Sequence, residues 1–177
     1  ICIAKGSIFG GAVGLVAASD MCRSLENARF CLSEIKLGLI PAVIYPYLQN
    51  RISPIDLNRF ALTAEVFNAK DAKSAGLVNG VFPNKEELSD FLCDVLNRVL
   101  AASPQAIAQL KNFSKDLKRE KNSQETKQRE LTATAIALAR TSEYGQHGLG
   151  QFFAKIKPNW VAKVDLENVS QMIDAGN

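Results

Sequence analysis

The sequence predicts an α/β fold over its first half and an all-helical second half. Short β-type runs such as "ICIA" (1–4) and "LVNGVF" (77–82) alternate with helix-forming stretches up to residue 83. From residue 84 to about residue 157 the pattern is helical throughout. No long linker, low-complexity stretch or internal repeat separates the halves, so the expected division is 1–83 and 84–177. With 47% of its 177 residues apolar, the chain can bury a substantial core, as one domain or as one domain with a helical appendage.

Each element has a local reason. After the strand "ICIA", "GSIFGGAVGL" (6–15) packs four glycines around a few apolar residues. Gly10 and Gly11 fall at a strand-to-helix junction, where glycine lets the backbone turn and leaves N–H groups bare for a phosphate or for an oxygen that gains charge. The alternative is that the glycines only let a helix pack closely on a sheet. The spacing fits neither the dinucleotide fingerprint nor a P-loop. "AVGLVAASDMC" (12–22) is expected to continue as helix. "ARFCLSEIKLGLIP" (28–41) reads as strand, with a polar break at Ser33, Glu34 and Lys36 and a stop at Pro41. Ser53 and Pro54 open a helix as cap and first residue. "AKDAKSAG" (69–76) is a short helix closed by Gly76. Asn84 with Glu87 forms a capping-box-like start for "KEELSDFLCDVLNRVLAAS" (85–103), and Ser103-Pro104 opens the next helix.

Composition narrows the function classes. The net charge of +3 suits an anionic small-molecule ligand and is too slight to argue for nucleic acid or membrane partners. The apolar stretch near the N-terminus is interrupted by Lys5, the glycines and Asp20, short of a transmembrane span. Cys2, Cys22, Cys31 and Cys93 form no C-x-x-C, as expected for buried thiols in a reducing, cytoplasmic setting. One His and four scattered Cys supply no metal-ligand cluster. The mixed-charge run "KNFSKDLKREKNSQETKQRE" (111–130) reads as a solvated helix face. His147, in "YGQHGLG", reads as a surface residue in a polar bend between helices. Glu34 stands out, an acid within an apolar strand-like run. A carboxylate at the edge of a core holds its proton more tightly, which suits proton transfer at neutral pH. Equally open is a solvent-facing Glu34 paired with Lys36. The chain opens on Ile in what reads as mid-strand, without an initiator Met or signal peptide, so further sequence is expected to precede it.

Five blocks in order, "GSIFGGAVGLVAASDM", "ARFCLSEIKLGLIPAVI", "FNAKDAKSAGLVNGVFP", "ASPQAIAQLK" and "GLGQFFAKIKPNW", resemble the enoyl-CoA hydratase/isomerase (crotonase) family over residues 1 to about 160. The resemblance implies a crotonase-like ββα spiral, partial because its N-terminal repeats are missing, followed by a C-terminal helical trimerisation region. It implies an acyl-CoA thioester as substrate, coenzyme A being part of it and no separate cofactor needed, and a homo-trimer or hexamer. Two backbone N–H groups hold the thioester oxygen in this family. The match puts one on Gly11, where such a donor is typically worth about 3 kcal/mol of barrier; the other lies in an N-terminal segment that this chain lacks. Many family hydratases carry one glutamate at the position of Gly14 and a second at that of Glu34; here only Glu34 remains. By the resemblance Gly11 and Glu34 are catalytic, and Gly10, Gly14, Ile44 and Tyr45 bind substrate. So do Phe152 and Lys155, on a C-terminal helix that contributes to the coenzyme A site.

"FGGAVGL" with "FCLSEIKLGLIPAVI" is most similar to the bacterial methylglutaconyl-CoA hydratase type, in the leucine and isovalerate catabolic branch, which favours a hydratase (lyase). "PAVIYPYLQ" replaces a glycine-rich pattern common elsewhere in the family. There Ile44, Tyr45 and Tyr47 line or lid the acyl pocket, or else pack at an interface. A single glutamate also suits an enoyl-CoA isomerase, and a decarboxylase remains open. So does a catalytically inactive, truncated remnant. Residues 161–177 have no counterpart in the resemblance and are expected to form a tail or a short extra helix.

Overall fold

The first two strands of the chain enter different sheets, and that separation organises everything after them. In the computed structural model, which describes residues 1–37, 39–119 and 125–175, β1 (Cys2–Ala4), β2 (Ser7–Phe9) and α1 (Gly11–Ala18) make one turn of the chain. β3 (Cys22–Leu25) and β4 (Arg29–Cys31) begin the next, β3 lying parallel to β1 and β4 parallel to β2. Cys2 stands opposite Cys22, and Phe9 opposite Cys31. Each turn therefore lays its strands on those of the turn before, which is a ββα spiral. A 3₁₀ turn (Glu34–Leu37), α2 (Tyr45–Leu48) and α3 (Pro54–Thr63) follow. β5 (Phe67–Asn68) then joins the second sheet antiparallel to β4, α4 (Ala69–Ser74) intervenes, and β6 (Val81–Phe82) completes the first sheet in the order β1-β3-β6.

Two early expectations are corrected here. The helix after the glycines ends at Ala18, and Cys22–Leu25 is strand, alternately buried and half-buried. Ser19 ends the helix by turning its hydroxyl onto the Val16 carbonyl at 2.8 Å. Glu34 lies in a 3₁₀ turn rather than in a strand. Ser7–Phe9 is a strand that the surrounding glycines hide in the sequence.

The chain forms two compact units, residues 1–92 with 166–177, and residues 93–165. The sequence divides instead at residue 83. The difference arises because α5 (Lys85–Leu100) spans the change, its first half burying Leu88, Ser89 and Leu92 in the first unit. The first unit's core holds Val13, Phe30, Leu48, Leu57, Phe60, Phe67 and Leu77 among others. Phe60 stacks on Phe67 with ring centroids 3.8 Å apart, and Phe30 on Phe67 at 5.6 Å. The Ser53 cap forms as expected, its Oγ accepting from the Asp56 amide. The last residues form α9 (Leu166–Asp174), which buries Val169 and Ile173 in this unit. The Lys5 ammonium donates to the Ile173 carbonyl at 2.9 Å.

In the second unit, α6 (Pro104–Arg119), α7 (Glu125–Thr141) and α8 (Glu143–Ala154) continue the helical pattern. The middle of the charged run, residues 120–124, lies outside the described residues. Asn97 ties the chain after α8 back to α5 by donating to the Val164 carbonyl (3.0 Å) and accepting from its amide (2.9 Å). His147 departs from its reading as a residue of a surface bend. It lies within α8, edge-on to Trp160 at 5.2 Å, with Nε2 buried and without a hydrogen-bond partner. Gly145 and Gly148, which suggest a bend, instead let α8 approach Ala139 and Trp160 closely.

Candidate active site at the glycine turn

β2 ends at Phe9, and the amide of Gly10 donates to the Cys31 carbonyl at 2.9 Å, extending the β2–β4 ladder by one bond. The N–H of Gly10 is therefore committed and not bare, a correction that follows from the ladder running past the last strand residue. Gly10 has φ 54° and ψ −127°, a conformation that residues bearing a Cβ enter only under strain. That conformation swings the chain from strand into α1. At the head of α1 the amides of Gly11 and Ala12 have no acceptor among the described residues, and no side chain caps them. Gly11 is exposed, and a Cβ built on it would meet nothing within 4 Å. Bare amides and the helix dipole together favour negative charge there.

Glu34 stands beside this turn. A Cβ on Gly10 would lie 3.5 Å from Glu34 Oε1 and 3.6 Å from Ser33 Oγ, so a larger residue at 10 would crowd the carboxylate. Glu34 Oε2 is buried and has no hydrogen-bond partner. Leaving such an oxygen unpaired costs about 1–3 kcal/mol or more, which a bound reactant that hydrogen-bonds to it would offset. Among the described residues Glu34 forms no ion pair, so the pairing with Lys36 is not realised. A carboxylate beside a turn that leads into uncapped amides is suited to moving a proton next to an oxygen that gains charge.

Gly14 lies one helical turn beyond Gly11 and is buried. A Cβ there would come within 2.7 Å of Ile44 Cβ and closer still to Ile44 Cγ2. Ile44 thus fills the space any side chain at 14 would need. It caps α2, and Tyr45, the first residue of α2, packs partly against the same core. Gly10, Gly11, Gly14, Glu34, Ile44 and Tyr45 therefore fall together in the first unit. Phe152 and Lys155 belong to the second, Phe152 74% exposed on α8 and Lys155 just past its end in a left-handed conformation. Cys31, whose carbonyl anchors the turn, and Ser33, which flanks it, carry no sequence signal beyond their nearness to Glu34. Gly38 lies outside the described residues. No three His, Cys, Asp or Glu side chains among the described residues converge to hold a metal ion. No helix among them is long and apolar enough to cross a membrane.

The sequence profile described as "Enoyl-CoA hydratase/isomerase" matches residues 1–163. The chain belongs to the enoyl-CoA hydratase/isomerase family. It is 31% identical over 146 residues to the enoyl-CoA hydratase ACTT6 of Alternaria alternata, covering 82% of this chain and 49% of that protein. It is 32% identical over 112 residues to the carnitinyl-CoA dehydratase of Proteus mirabilis, covering 62% and 42%. The crystal structure of an enoyl-CoA hydratase from Shewanella pealeana superposes with a TM-score of 0.82 at 37% identity, covering 89% of this chain and 58% of that one. The spiral is therefore the crotonase-like fold of this family. The chain spans about half the length of the curated relatives it matches.

Proposed function

We propose that this protein is a hydro-lyase acting on an enoyl-CoA thioester, with Glu34 as its proton carrier. The observation that carries the reading is the buried, unpartnered Oε2 of Glu34 beside a turn whose next amide, Gly11, is free. In the proposed reaction the thioester oxygen accepts from the Gly11 N–H, so negative charge developing on it during addition is stabilised by about 3 kcal/mol per donor. Glu34 takes a proton from water as the water oxygen bonds to the β-carbon, then returns a proton to the α-carbon. The carboxylate ends as it began, and the same steps in reverse remove water. The names of the Alternaria hydratase and the Proteus dehydratase support this direction of chemistry.

In this reading the substrate is a methylglutaconyl-CoA-like branched acid. Ile44 walls the acyl pocket and the hydroxyl of Tyr45 meets a polar acyl end, while Lys155 with Phe152 receives the coenzyme A portion of the substrate of a neighbouring subunit. Coenzyme A enters as part of the substrate, and the proposed chemistry uses no separate cofactor. Exposed Phe152, Phe153 and Ile156 support assembly as a homo-trimer or hexamer, and four free thiols support a cytoplasmic setting. A second reading, enoyl-CoA isomerase, is favoured by Ile44 filling the space beside Gly14: one carboxylate is enough to shuttle a proton between two carbons.

The test is hydration of a methyl-branched glutaconyl-CoA and of crotonyl-CoA by the full encoded protein and its Glu34→Gln variant, followed by loss of enoyl-thioester absorbance. Glu34→Gln is expected to lower kcat by about 10²–10⁴-fold with little change in fold. Turnover that survives this substitution would overturn the role of Glu34. Turnover of a β,γ-enoyl-CoA alone would favour the isomerase.

A further inference from the structure

Cys2 and Cys22 occupy directly opposed positions on two parallel strands, β1 and β3. Neighbouring strands run about 4.8 Å apart, and residues in register project to the same face. That spacing falls inside the roughly 4.4–6.8 Å Cα separation that a disulfide spans. The two thiols also differ in environment. Cys22 is fully buried and Cys2 only half-buried. The Cys22 thiol, which donates to the Arg23 carbonyl at 3.7 Å, lies across the strand pair from Cys2, and its influence outweighs burial and brings Cys2 down to about 7. The neighbouring Cys2, together with burial, pushes Cys22 well up. One sulfur thus has thiolate character, while its partner directly across the strand pair stays a protonated thiol. Cys31 and Cys93 lack this arrangement, their sulfurs meeting the backbone carbonyls of Ala64 and Val164 at 3.3 and 3.6 Å.

We propose that Cys2 and Cys22 are a reactive thiol pair that hydroperoxides convert to a disulfide, closing a covalent ring around residues 2–22. In the first step the Cys2 thiolate attacks a peroxide oxygen. An S–O bond forms, the O–O bond breaks, and hydroxide leaves, so Cys2 becomes a sulfenic acid. In the second step the Cys22 sulfur attacks the Cys2 sulfur. The S–S bond forms, the S–O bond breaks, and the oxygen departs as water with the Cys22 proton. Two thiols and one hydrogen peroxide thus give one disulfide and two waters. The ring encloses β2, the Gly10–Gly11 turn and α1, so oxidation would lock the frame of the candidate site without touching Glu34.

The experiment treats the folded full-length protein with hydrogen peroxide, blocks remaining thiols by alkylation, and maps the peptides by mass spectrometry. The expected result is a Cys2–Cys22 cross-link, lighter by two hydrogens and reversed by dithiothreitol, with Cys31 and Cys93 still alkylated. In the untreated protein Cys2 is expected to alkylate at least about tenfold faster than Cys31. In the Cys22→Ser variant, Cys2 is expected to persist as a sulfenic acid that dimedone traps. The proposal is overturned if Cys2 oxidises to sulfinic acid without cross-linking in the unsubstituted protein, if Cys2 and Cys22 both remain alkylatable, or if the cross-link forms as readily in urea.

Discussion

Among the described residues, all buried apolar side chains belong to the first unit, whereas the helices of the second leave Leu110, Leu138, Phe152, Phe153 and Ile156 exposed. The first unit is also the richer of the two in apolar residues, so composition contributes to the difference together with architecture. The first unit stacks strands in two sheets and closes helices over them, so one chain supplies both sides of its core. The second unit is all helical, and its amphipathic helices keep apolar faces that their own unit does not cover. The lesson is that the first unit holds a fully buried core and the second does not, while both present apolar surface, Leu15, Val43 and Ile55 in the first as much as Phe152 and Phe153 in the second.

The sharpest way to break this comparison is at the aromatic stack. Phe60→Ala removes the ring packed 3.8 Å from Phe67 and is expected to cost about 3–5 kcal/mol, read from urea unfolding. A cost under about 1 kcal/mol would mean that the first unit does not depend on its core as described. Next in size is Gly14→Ala, expected to cost about 1–3 kcal/mol because the new methyl meets Ile44. Adding Ile44→Ala should recover part of that loss, and a strictly additive double variant would show that the contact is not the cause. The smallest effect is Phe152→Ala, expected to shift unfolding at low protein concentration by no more than about 0.5 kcal/mol. A larger shift would show that the second unit buries this ring within its own fold.

Features that depend on neighbours in sequence were legible. The caps at Ser53 and Asn84 could be read because a polar side chain reaches an amide only three residues ahead. Short strands were harder: Cys22–Leu25 has four residues, too few for a period of two to stand out against a preceding helix. Glu34 was legible as an acid in apolar company, but its 3₁₀ turn was not. The reason for glycine at 14 lies thirty positions away, in Ile44, and no local pattern encodes it. The amide of Gly10 was misread for a related reason, since its acceptor, Cys31, belongs to another turn of the spiral. His147 was misread because two nearby glycines signal a bend when in α8 they make room for neighbours.

The return of α9 to the first unit has a consequence for synthesis. Val169 and Ile173 complete a core whose other members precede residue 93, so the last pieces of that core leave the ribosome only after the whole helical unit has been made. Until then the nascent α/β unit lacks the segment that covers part of its apolar interior. During that interval it is exposed to wrong partners, in the way that makes incomplete domains prone to aggregate.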